Sequence, residues 1–237
     1  MVDPYVYPGI GVLKNKLGIK NYDRLRKAEG DICFGKLLTV DRDVDCSKFD
    51  LDYIKNIHKY ILEDIFDWAG EFRTVPMVKP EKILGGDTVR YAHPNDIVPL
   101  ANECLNELNR INWNSLGIEE KSMQFTKLIA RLWQIHPFRD GNTRTTVTYA
   151  FQFAEEHGFK MDRNLLLDNF EYVRGAFVKA SDGEYSDYHY LNNIIKDSIQ
   201  RGAKLDEGEV EKKDKSKTPN EVENCNSDIL NKNEEER

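Results

Sequence analysis

The sequence predicts an all-α helical bundle that carries one small β-hairpin flap. Three observations point there. Apolar residues recur at three- and four-residue intervals through most of the first 202 positions; residues 72–92 break that pattern with Pro76, Pro80 and a Gly-Gly pair among β-favouring residues; and periodicity fades after Gly202. The 237 residues are 40% hydrophobic and 32% charged, enough to build the core of one large domain or two small ones.

Each element has its own signal. Asn21 or Asp23 can cap an amphipathic helix ending near Gly35, with Leu25, Ala28 and Ile32 on its inner face. A second helix is expected over residues 50–69, where Leu51, Ile54, Ile57, Ile61, Ile65 and Trp68 keep the period until Gly70 stops it. Residues 72–92 then read as a hairpin or flap, too interrupted by proline for a central strand. Helical patterning returns over residues 94–109 and 118–135, breaks at His136-Pro137, and resumes over 142–157 before Gly158. Two last helices are expected at 164–180 and 188–201, followed by a solvated tail or a fraying helix.

The formal net charge is −7, and it is uneven: residues 203–237 hold 7 basic and 11 acidic side chains, against 27 and 30 in the first 202. Neither part has the basic excess that duplex nucleic acid attracts, so no nucleic-acid partner is expected. The N-terminal residues lack a signal-peptide core, and no run of about 18 apolar residues suggests a membrane span. A soluble, cytoplasmic protein with no membrane partner is the expectation. Cys33, Cys46, Cys104 and Cys225 stand far apart without a C-x-x-C pair, which reads as reduced thiols rather than a zinc or redox site.

Chemistry concentrates in Ile135-His136-Pro137-Phe138-Arg139-Asp140-Gly141-Asn142-Thr143-Arg144. A helix ends at a histidine and another opens at Gly-Asn, whose N-terminal N–H groups and dipole suit an anion. Arg144, one turn in, can add a charged fork for phosphate oxygens. Asp140 offers an oxygen ligand for Mg²⁺, which takes one or two carboxylates and completes its shell with phosphate and water. His136 is the one group here whose ordinary pKa makes it a base near neutral pH. Base, carboxylate, glycine, amide and guanidinium within this loop point to a phosphate or nucleotide site.

His136 to Arg144, HPFRDGNTR, resembles the signature loop of Fic-domain proteins, H-P-F-x-[D/E]-G-N-G-R-x-x-R. Residues 7–19, YPGIGVLKNKLGI, are similar to the N-terminal segment of one bacterial Fic subgroup, and residues 58–74, HKYILEDIFDWAGEFRT, to the helix and turn before the family's flap. The likeness spans roughly residues 5–201, which implies one Fic-type unit over 1–202 and a charged appendage over 203–237. It also implies a protein adenylyltransferase that moves AMP from ATP to a Ser, Thr or Tyr hydroxyl of a protein target, with auto-AMPylation. On that reading His136 is the base, Asp140 holds Mg²⁺, and Gly141, Asn142 and Thr143 present backbone N–H groups, with the Asn142 amide, to phosphate. Arg144 neutralises the β-phosphate, and Phe138 anchors the loop in the core. The flap, about residues 73–91, would pair with an extended target segment, with Lys79 and Tyr91 at positions similar to a lysine and an aromatic of the family flap. Tyr172 and Ser181 fall where the family often places adenine and ribose contacts.

Two positions depart from the pattern: Thr143 replaces the second glycine and Val147 the second arginine, which in the family grips the γ-phosphate. Arg139 is a nearby cation that could substitute. The family's inhibitory pattern [S/T]-x-x-x-E-[G/N] has no strict match, since Glu29-Gly30 follows Leu25 and Glu207-Gly208 follows Ala203. Control by a small antitoxin, or no glutamate control, is therefore expected, with Glu29→Gly or Glu207→Gly raising auto-AMPylation less than tenfold. Transfer of UMP, phosphocholine or phosphate, and a degenerate fold that only binds a nucleotide or a protein, are the alternative readings; the kinase-like relatives carry a lysine where this chain has Thr143. An oligomer is compatible with all of them.

Overall fold

The computed structural model describes residues 3–216 apart from Cys46, with side-chain surroundings as far as Leu205. Cys46, Cys225, the side chain of Glu207 and the end of the charged appendage lie outside what is described.

Nine helices occur among these residues: α1 Tyr22–Leu37, α2 Val40–Asp43, α3 Leu51–Leu62, α4 Ile97–Arg110, α5 Ile118–Ile135, α6 Asn142–Glu156, α7 Arg163–Asp168, α8 Phe170–Ala180 and α9 His189–Ser216. The Asn21 carboxamide caps α1 by accepting from Arg24 N–H at 3.0 Å, and Asp50 caps α3 by accepting from Tyr53 N–H at 3.0 Å. α5 lies at the centre, packed on α4, α6, α8 and α9, while α3 packs on α6 and α1. Phe125, Ile129, Trp133, Tyr149 and Phe153 fill the space between them, and Phe49 sets its ring edge-on to both Tyr149 and Phe153.

Several expectations change in detail. α1 buries Leu25, Glu29 and Cys33 rather than Leu25, Ala28 and Ile32, so a carboxylate sits on its inner face. The second helix ends at Leu62, not at residue 69; tight turns follow, in which Ile65 and Phe66 stay buried and the Ile65 carbonyl accepts Lys16 N–H. Apolar spacing is preserved by those turns, which is why periodicity extends the helix too far. The stretch 164–180 breaks at Asn169, whose side-chain amide donates to Leu165 O at 2.8 Å. α9 continues past residue 201 to Ser216.

The flap is not a two-stranded hairpin. Among the described residues it holds one antiparallel bridge, Pro80 to Thr88, around a 3-10 turn at Lys82–Leu84. Pro76 and Pro80 have no N–H to extend a ladder. Its closure rests instead on Glu81 N–H donating to Asp87 O at 2.8 Å, and on Arg174 of α8 paired with the buried Glu81 at 2.7 Å.

Candidate active site

The loop between α5 and α6 is shaped by what surrounds it. Pro137 disfavours the helical conformation for the residue before it, and His136 leaves the helix left-handed at φ 52°, ψ 61°, with its N–H on Trp133 O. It is the one non-glycine residue at positive φ among those described. Phe138 is fully buried and stacks on His58, ring centroids 3.7 Å apart, the anchoring role expected of it. His58 accepts Gly70 N–H on Nδ1 at 2.8 Å and donates from Nε2 to Asp140 O at 3.0 Å. Burial brings its pKa down to about 4, so it serves as a neutral clamp.

Gly141 begins α6 at φ +76°, and a Cβ there would lie 2.4 Å from Leu62 Cδ1. Both the backbone angle and the space therefore require glycine. Asn142 departs from expectation: its side chain accepts Phe138 N–H at 2.9 Å and donates to Phe138 O at 2.8 Å. That amide closes the loop on itself. Thr143 accepts the Trp133 indole N–H on Oγ1 at 2.9 Å, so its side chain is held in the core. α6 supplies no acceptor of its own to the N–H groups of its first turn.

His136 is buried. Its Nδ1 lies 3.2 Å from Trp133 O and its Nε2 3.4 Å from Lys79 Nζ. The carbonyl assigns the proton to Nδ1 and leaves Nε2 with a lone pair. Tyr91 lies over the ring, centroids 4.2 Å apart. Burial first, then the cations of Lys79, Arg73 and Arg174, hold the imidazole well below its ordinary pKa, against the pull of the Trp133 carbonyl. Burial alone would raise the Asp140 pKa; Lys79, Gly141 N–H at 2.7 Å, Arg144 and Arg139 outweigh it and keep the carboxylate ionised. The site thus brings together a neutral base, an anionic carboxylate and a cationic helix start.

Lys79 and Tyr91 both reach the base. Arg144 is in the site, but its guanidinium is on the buried Glu29 at 2.5 Å, so α1 contributes a carboxylate to the head of α6. Burial and the nearby Asp140 raise the Glu29 pKa, and Arg144 opposes them. Cys33, 3.6 Å from Arg144, is pushed up to about 11 by burial and is a free thiol, as is Cys104. Arg139 is bound to Asp3 at 2.8 Å and Val147 is buried in the core. Tyr172 is 47% exposed and donates to Tyr190 O in α9, while Ser181 is buried, accepts the Gln134 amide on its carbonyl, and has a hydroxyl without a partner among the described residues.

Among the described residues, no cluster of three or more His, Cys, Asp and Glu could hold a metal alone. An ionised Asp140 beside an anion-receiving helix start fits a divalent ion that shares phosphate oxygens. No helix among those residues is long and apolar enough to cross a membrane. A cleft of about 730 Å³ lies at the far end of α5, lined by Ile118, Lys121, Phe159 and Lys204 among others, about 27 Å along the helix from the loop.

His58, Arg73 and Arg174 had no assigned role in the reading of the sequence, and Glu29 entered it only as a near-match to the inhibitory pattern. Two of them fall in the segment 58–74, but burial of a histidine or an arginine has no local signature.

Residues 48–154 match the model of the Fic/DOC family. The protein adenylyltransferase VbhT of Bartonella schoenbuchensis is 35% identical over 161 residues, covering 68% of this chain and 32% of that protein. A protein adenylyltransferase of Bartonella henselae is 29% identical over 199 residues, 79% of this chain and 36% of that one. This chain therefore spans about a third of the length of each. Among solved structures, the N-terminal Fic domain of a VirB-translocated Bep effector protein from Bartonella quintana, with bound ADP, aligns at a TM-score of 0.69 with 24% identity, over 82% of this chain and 93% of that one. Helical architecture, signature loop and sequence likeness together make this chain, through residues 48–154, a member of the Fic/DOC family.

Proposed function

We propose that this protein transfers AMP from ATP to a Ser, Thr or Tyr hydroxyl of a protein target. The observation that carries this is the placement of the His136 ring: Nδ1 is turned to Trp133 O, which accepts its N–H, leaving Nε2 as a buried, unprotonated base at the mouth of the α6 N-terminus. The names of the two Bartonella relatives and the ADP in the aligned Fic domain support the same reading.

Nε2 takes the proton of the target hydroxyl as its oxygen attacks Pα; the bond from Pα to the bridging oxygen breaks and pyrophosphate leaves. Charge develops on phosphate oxygens facing the N–H groups of Gly141, Asn142 and Thr143, where fixed dipoles act without reorganising. Arg144 serves the β-phosphate once it leaves Glu29. Asp140 would hold Mg²⁺, which when bound offsets phosphate charge. Lys79 has to vacate Nε2 for the hydroxyl to enter, and with Tyr91 it borders the target's side chain while the flap takes up the target backbone. Tyr172 and Ser181 are assigned to the base and ribose of the nucleotide. An ATP co-substrate and the free thiols of Cys33 and Cys104 support a cytoplasmic setting for the reaction.

The test is labelling by ATP carrying the isotope at the α- or the γ-phosphate, with Mg²⁺ and bacterial lysate. Label from the α-position that vanishes in His136→Ala is the expected result. Label from the γ-position alone would mean phosphate transfer, and no label with intact nucleotide binding would mean a binding module.

A further inference from the structure

Arg73 is among the most completely buried side chains of the molecule, 1% exposed, yet it lies outside the phosphate-facing loop. Among the described residues no carboxylate pairs with it. Its partners are backbone carbonyls. Nε donates to His136 O at 2.7 Å, one terminal nitrogen to Val75 O at 2.9 Å, and the other to Ala92 O and to Ile135 O at 3.3 Å. Its own N–H donates to Pro137 O at 2.9 Å.

These carbonyls belong to two separate structures, the end of α5 and the two feet of the flap, which Tyr91 over the His136 ring and Gln134 on Arg90 O also bring together. Ile135 and His136 end α5, where carbonyls lack helical partners and a cation is favoured; His136 also carries the left-handed turn that a histidine adopts only under constraint. Val75 and Ala92 are the entry and exit of the flap. A planar fork with five donors can span all four, which an ammonium cannot.

We propose that Arg73 is a positioning residue that locks both feet of the flap to the backbone of the catalytic histidine, so that a hydroxyl presented by the flap arrives at Nε2. The inference rests on the AMP-transfer reading for its consequence, and on the carbonyl set alone for its geometry.

Arg73→Lys and Arg73→Met separate this role from plain stability. The lysine variant keeps a buried cation and is expected to melt near the wild type and to bind an ATP analogue within threefold. Its kcat with a protein target is expected to fall at least thirtyfold, and that of the methionine variant at least as far. Hydrogen exchange is expected to speed up selectively at residues 75–92 and 136–138. An Arg73→Lys kcat within threefold of wild type, or a loss that tracks melting temperature or nucleotide affinity, overturns the proposal. If neither variant folds, exchange of the Arg73 Nε–H in the wild type decides: protection equal to the loop amides supports the lock, and fast exchange overturns it. A wild type that transfers no AMP would refute the activity, and the exchange pattern would still decide the lock.

Discussion

His136 stays unprotonated through the neutral range because burial and the cations of Lys79, Arg73 and Arg174 disfavour a second proton. The acid limb of kcat/KM against pH is therefore expected below 6.5, the ordinary value for histidine. Lys79→Met removes a positive neighbour 3.4 Å away, which makes protonation easier, raises the His136 pKa and moves that limb to higher pH. A limb that stays in place or moves lower would contradict the assignment. At position 143 the expectation is counterintuitive: Thr143→Gly restores the family pattern but strips the Trp133 indole of its acceptor. An unpaired buried N–H costs about 1–3 kcal/mol and glycine in a helix about 1 more. Urea denaturation is expected to find Thr143→Gly less stable by about 2–4 kcal/mol, with Thr143→Ser near the wild type. The loop itself was legible because its residues are contiguous. Its charged partners were legible only in part, because they arrive from three separate segments: Lys79 was marked as a flap position, while the approach of Glu29 from α1, Arg73 from the foot of the flap and Arg174 from α8 depends on packing.

Between elements, the informative contact is the one that ties α1 to α6. Arg144 cannot give its fork both to Glu29 and to a phosphate, so the two compete for one guanidinium. Glu29→Gln releases it. Calorimetry is expected to show an ATP analogue binding about tenfold more tightly to Glu29→Gln, the equivalent of about 1.4 kcal/mol, while thermal stability falls because a buried cation loses its partner. Unchanged or weaker binding would show that the pair does not oppose the nucleotide. The missing Ser or Thr before Glu29 had suggested little glutamate control; placement on the buried face of α1, two turns from its cap, was decided by packing that the pattern does not encode. The same limit explains the other elements. Periodicity located α3, α5 and α6, but it ran α3 through the turns that follow Leu62 and fused α7 with α8 across Asn169. Prolines signalled the flap; its single bridge and its Arg174–Glu81 tether depend on α8, far along the chain.

For the whole molecule, the question is where the folded unit ends. Leu191, Ile194, Ile195 and Ile199 of α9 are buried against the rest, Ser198 exchanges hydrogen bonds with Asp162, and Gly202 passes so close to Lys160 that a Cβ would meet its carbonyl at 2.2 Å. The next three residues are exposed. Charge changes at the same point, since the stretch from 203 onward carries 4 of the 7 excess negative charges. Helix propagation past Gly202 thus proceeds, in its first described turn, without new core. A chain ending at Gly202 is expected to keep a cooperative melt within about 4 °C of the full chain, roughly 1 kcal/mol for a domain of this size, with only its last turn frayed. Gly202→Ala in the full chain is expected to cost more, about 2 kcal/mol, because the Lys160 backbone must move to admit one methyl group. Loss of cooperativity on truncation, or a silent Gly202→Ala, would place the boundary beyond residue 202 and make the later turns of α9 part of the folded unit.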